Sequence, residues 1–143
     1  MVNRAIFIIG TLPFILLGAI HIIYILIDIK TPRKLVPFDD SVRILMRKST
    51  LKLTRQTTVW RAWLGFNLSH GIGVLFFGLI YLIFAVLDFG VLVRITPLLY
   101  LATLVALCYL ILSIKYWFHI PAIGAGIGFA CFVVALFLTI ASS

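Results

Sequence analysis

The chain contains no glutamate. Its only acids are Asp28, Asp39, Asp40 and Asp88, four carboxylates in 143 residues. This excludes a di-iron bundle ligated through Glu-x-x-His pairs and leaves little for paired-carboxylate acid–base chemistry. Cysteine is equally scarce. Cys108 and Cys131 lie far apart inside apolar runs, form no C-x-x-C pair, and supply neither a disulfide framework nor a zinc-binding spacing. They read as small apolar residues. No phosphate loop, nucleophile elbow or metalloprotease motif is present, and no metal site is expected.

What the chain has in quantity is apolar surface. Hydrophobic residues make up 64% of the sequence and charged residues 11%, a balance suited to a polytopic membrane protein. Four apolar stretches are long enough to cross a bilayer: about 5–29, 60–87, 91–114 and 120–142. The first is too long for a signal-peptide core and is followed by no small-residue cleavage site. Pro13 is expected to kink it, and Asp88 and Gly90 to make a tight exit from the second. The fold class expected is an all-α membrane protein. It is a four-transmembrane-helix bundle with a basic, partly helical first loop, forming a single membrane domain over residues 1–143.

Segment 30–59 is the one long polar stretch. It carries Lys30, Arg33, Lys34, Arg43, Arg47, Lys48, Lys52 and Arg55 against Asp39 and Asp40. Pro32 and Pro37 keep its beginning extended, and Asp39, Asp40 or Ser41 is placed to cap a helix near Val42. Val42, Leu45, Met46 and Leu53 give that helix a partial apolar face, the pattern of a surface-lying amphipathic helix. Arg43, Arg47, Lys48, Lys52 and Arg55 are the candidate contacts to anionic lipid headgroups. The net charge of +8 therefore points to a membrane surface and not to nucleic acid. With Arg61 and Lys115, the side of this loop holds ten of the twelve cations, so the positive-inside rule places the loop in the cytoplasm and both termini outside an inner membrane.

The densest polar chemistry at membrane depth runs from Trp60 to Gly73. Trp60 and Trp63 read as interface anchors. Asn67 and His70 share a helix face, which continues through Gly71, Val74 and Gly78, small enough for a neighbouring helix to come close. His21 and Tyr24 share a stripe of the first span with Asp28. Counted from the inner ends of their spans, His21 and His70 lie roughly 12 and 15 Å deep, nearly level. Polar groups in a bilayer face the bundle interior and are functional candidates.

One reading of a His21, Tyr24, Asn67 and His70 cluster is structural, a network that hydrogen-bonds across helices and fixes their packing; three functions are also compatible with it. The first is a binding or accessory protein. The cluster would take the polar head of a lipid, quinone or sterol, with Phe66, Phe76, Phe77 and Phe129 around its apolar part, or would hold a partner helix. The second is a haem b protein with His21 and His70 as axial ligands, Gly18, Gly71 and Gly73 leaving room for the ring. The third is a membrane enzyme using His70 as acid or base, assisted by Asp28 or Tyr24. Gly124 and Gly128 form a small-xxx-small stripe suited to packing within the bundle or to a homo-oligomer.

The layout resembles a group of small uncharacterised bacterial four-span integral membrane proteins. The resemblance is carried by Gly65, Phe66, Asn67, Ser69, His70 and Gly71 after Trp63, and by the junction from Tyr116-Trp117-Phe118 to Pro121. It implies the four-span fold and no activity. Small multidrug transporters share the span number but use a membrane glutamate, and vitamin K reductase-like proteins need a C-x-x-C.

Overall fold

Helix α1 (Val2–Lys30) begins the chain and continues through Pro13 without ending there. The structure is a computed structural model and describes residues 2–142; the end positions of the expected 1–143 domain, Met1 and Ser143, lie outside the described residues. Four more helices follow: α2 (Asp40–Lys48), α3 (Val59–Arg94), α4 (Pro97–Tyr116) and α5 (His119–Ala141). Helices α1, α3, α4 and α5 are long and apolar enough to cross a membrane, which makes this an all-α four-helix membrane bundle. At about 1.5 Å per residue, α4 spans about 30 Å, the thickness of a hydrocarbon core.

The third span starts later than its composition suggests. Residues 91–94 belong to the tail of α3, beyond a non-helical Asp88 at φ −149° and ψ 88°. Helix α4 starts at Pro97, where a missing N–H costs nothing and a fixed φ favours the first turn. The helix breaks at Asp88, where the exit from the second span was expected, and a short helical stretch follows before α4. Phe89 packs edge-on against Phe7 and Leu92 is fully buried, so the segment after Asp88 turns its apolar side chains back into the core. Arg94 reaches Asp88 at 2.9 Å, an exposed pair.

The backbone divides into two compact units, Met1–Leu17 with Val74–Ser143, and Gly18–Gly73. The first is an aromatic and alanine core. Phe7 and Phe132 have ring centroids 4.7 Å apart, and Phe14 meets Phe77 edge-on at 4.9 Å. Ala102, Ala106 and Ala135 are fully buried, and such small residues let helices approach closely. Phe129 packs against this core as well. Positions 124 and 128 of α5 lie against α1, facing Leu17 and Phe14; this face is a seam within the chain. Asn3 Nδ2 donates to Thr139 Oγ1 at 3.2 Å, so the start of α1 and the end of α5 lie together.

The second unit holds the polar segment. Its short helix α2 starts where expected, with Asp39 as N-cap accepting from the Ser41 N–H at 2.8 Å. Arg43 pairs with Asp40 at 2.6 Å. The Ser41 hydroxyl, together with the Ser41 N–H, holds the Asp39 carboxyl below the usual carboxylate range. A depressed acid contributes stability above its unfolded pKa, about 3.9, and loses it as pH falls through the folded value. Amide exchange at the first turn of α2 is therefore expected to rise selectively below about pH 4. Unchanged exchange down to pH 2.5 (about 1.4 units below the reference value) would show that the cap does not hold this turn.

Candidate functional site

The site is assembled from the C-terminal half of α1 and the N-terminal half of α3, both within the Gly18–Gly73 unit. The close approach of the two helices is set at Gly71. A Cβ there would lie 2.9 Å from Ile22 Cγ1 and 3.1 Å from His21 Cδ2. Only hydrogen at this position lets the imidazole of His21 lie against α3.

Around this contact the structure brings together three of the residues singled out from the sequence. His21 and His70 meet edge to face, with ring centroids 5.3 Å apart and planes at 77°. Asn67 is 2% exposed and lies next to the His21 ring. Its Nδ2 donates to the Trp63 carbonyl at 2.9 Å. Both imidazoles are half-buried. The outer face of His70 is covered by Phe66, stacked at 6.4 Å and 10°, itself 67% exposed. Beyond its chain neighbours and the local backbone of α3, no atom lies within 4 Å of the Cβ position of Gly73, one turn further along α3. The open side of the histidine pair is thus bordered by one aromatic ring and one bare stretch of helix.

Tyr24 takes another place. Its ring is exposed and stands under the Lys34 ammonium at 5.4 Å. Asp28 is also engaged elsewhere. It is 1% exposed, and its carboxylate accepts the backbone N–H groups of Arg33 and Lys34 at 2.7 and 2.8 Å and of Leu35 at 2.6 Å. Both are thus engaged with segment 33–35. The reason lies in the local chain. Pro32 disfavours helix at Thr31, and the chain beyond must find partners for its N–H groups where α1 stops. Three successive N–H groups form an anion-holding nest, and Asp28 fills it. Trp63 completes the clamp by donating Nε1–H to the Leu35 carbonyl at 3.1 Å.

This clamp was not read from the sequence. The available signal was an acid at the end of an apolar span, four residues before a proline. The hydrogen bonds form one path that ends beside the histidines: Asp28 to segment 33–35, Leu35 to Trp63, and Trp63 to Asn67. Phe77 and Phe129, expected around a ligand, belong to the core of the other unit. Phe76 is exposed, as is His119 at the first position of α5.

The geometry does not fit haem. Axial imidazoles stand on opposite faces of a porphyrin and point at each other through its iron. Here the rings touch edge to face, and beside them position 71 is in contact with Ile22 and His21. A macrocycle would have to separate α1 from α3. Among the described residues, no group of three His, Cys, Asp or Glu side chains is placed to hold a metal ion. No protein-family model, curated protein or solved structure matches this chain.

Proposed function

We propose that this is a small integral membrane binding protein of the inner membrane, which takes the polar head of an amphiphile at His21, Asn67 and His70. The observation that carries the reading is the half-buried His21–His70 pair beside buried Asn67, with the exposed ring of Phe66 stacked on its outer side. Ionisable side chains within a span are costly and mark functional sites. Here the imidazole edges supply donors and acceptors for a lipid, quinone or sterol head. Phe66 and the bare stretch at Gly73 offer the apolar surface for its body. The charge asymmetry supports an orientation with the 30–59 segment in the cytoplasm and both termini outside.

The test is mass spectrometry of amphiphiles retained when the protein is extracted with its native lipids. One species is expected to be enriched over the bulk membrane. Its occupancy is expected to fall about tenfold in His70→Ala, the equivalent of about 1.4 kcal/mol or one hydrogen bond. Retained lipids that mirror the bulk membrane in both proteins would sink the reading and leave the cluster as a helix-packing network.

A further inference from the structure

Helix α2 contains no buried residue. At 100° per residue, Val42, Leu45 and Met46 fall within an arc of about 100°, while Ile44 lies on the opposite side. Val42 and Leu45 are exposed, Phe38 just before the helix is fully exposed, and Leu53 in the following loop is 93% exposed. A nine-residue helix is too short to persist in water by itself. Besides its Asp39 cap, this one is held by Arg47, whose guanidinium lies 5.6 Å from the Trp60 ring. It is held also by the closure of the next loop, where the Val59 N–H donates to the Ser49 carbonyl at 2.9 Å and Thr50 bridges Thr58. The fold therefore holds ordered a surface on which Val42, Leu45 and Leu53 stay exposed and only Met46 is partly buried.

We propose that residues 38–55 dock on the anionic leaflet of the same bilayer that the chain crosses, with Leu45 and Leu53 entering the headgroup boundary. Three observations select this occupant. First, the charge is complementary: eight cations against two acids in segment 30–59. Second, the structure separates the five cations of residues 43–55 into two groups. Arg43 is paired with Asp40 and Arg47 lies on Trp60, whereas Lys48, Lys52 and Arg55 are exposed and flank the two leucines in sequence. Third, the segment is tethered at both ends to helices of membrane-spanning length, α1 and α3, which places it at a membrane surface. Exposed apolar side chains interleaved with cations suit the boundary between headgroups and acyl chains. Each cation near an anionic surface adds about fivefold to the attraction. The inference is independent of the histidine site.

The experiment uses the full-length protein in nanodiscs, with Cys108 and Cys131 replaced by alanine. One environment-sensitive dye is attached in turn at Leu45→Cys, Leu53→Cys and Ile44→Cys. In nanodiscs containing phosphatidylglycerol, the dye at 45 and at 53 is expected to shift to the blue and to be quenched by lipid-borne quenchers, while the dye at 44 remains in water. The shielding is expected to be lost in phosphatidylcholine alone, in high salt, and in the triple variant Lys48→Gln, Lys52→Gln, Arg55→Gln. High salt on the unaltered cations gives the same readout if that variant folds poorly. Dyes at 45 and 53 as wet as the dye at 44 would overturn the proposal. So would equal shielding in both lipids, or shielding that appears only when a soluble protein or RNA is added.

Discussion

Asp28→Ala is expected to lower the thermal midpoint of the detergent-solubilised protein more than any other exchange of a polar residue for alanine. The carboxylate is almost wholly buried and accepts three backbone N–H groups. Hydrogen bonds to a charged group each contribute about 1.5–3 kcal/mol, and a buried donor left without an acceptor costs about 1–3 kcal/mol. The sum is discounted here because Arg33 and Lys34 are exposed, and water can reach part of the freed backbone. A net loss of about 3 kcal/mol remains, or about 6–12 °C for a chain of this size. Asp28→Asn keeps the shape and one acceptor oxygen, so its loss is expected to be intermediate. Amide exchange at residues 33–35 should rise in both variants. If the alanine variant melts within a degree of the parent, the carboxylate is not what holds this segment.

Gly78→Val is expected to be the most damaging apolar change. A Cβ at position 78 would lie 2.7 Å from Ile15 Cγ1, 3.0 Å from the Ile15 nitrogen and 3.1 Å from the Thr11 oxygen. Two of these three atoms are backbone and cannot rotate away, so α1 and α3 would have to separate. Overpacking of a tight core costs about 1–3 kcal/mol, and two β-branched methyls against backbone place this site at the upper end. Gly73→Ala supplies the contrast. Nothing lies within 4 Å of the added atom, so the helix-propensity gain of up to about 1 kcal/mol is expected to leave stability equal or slightly higher. Thermal midpoints of the two variants against the parent check both signs. Equal effects at the two glycines would show that α1 and α3 do not approach at position 78 as described.

Composition and run length determined the class of this protein. With 64% hydrophobic residues and four apolar stretches, backbone polar groups inside a bilayer are satisfied only within helices or closed barrels, and the run lengths are those of helices. Residue chemistry also determined the cap of α2, because a carboxylate at the N-cap meets an unsatisfied N–H within its own few residues. The face shared by Asn67, His70 and Gly71 was legible for the same reason: its geometry is local to one helix.

Tertiary structure decided what these residues meet. A rotation of one helix by about 100°, the angle of a single residue, would have turned His21 away from His70, and nothing in either helix alone specifies that angle. The contact at Gly71 does, because a glycine opposite Ile22 lets the two backbones close on the imidazoles. The same contact excludes the ring that a haem reading needs. Asp28 and Tyr24 were grouped with the histidines by helical spacing, yet the chain beyond Lys30 folds back and supplies nearer partners, three N–H groups for one and an ammonium for the other. The helix breaks at Asp88 as its residues suggest, but Phe89 and Leu92 then bury themselves before α4 starts at Pro97. Local rules suffice where a residue's partner is close along the chain. Where the partner comes from another segment, packing decides.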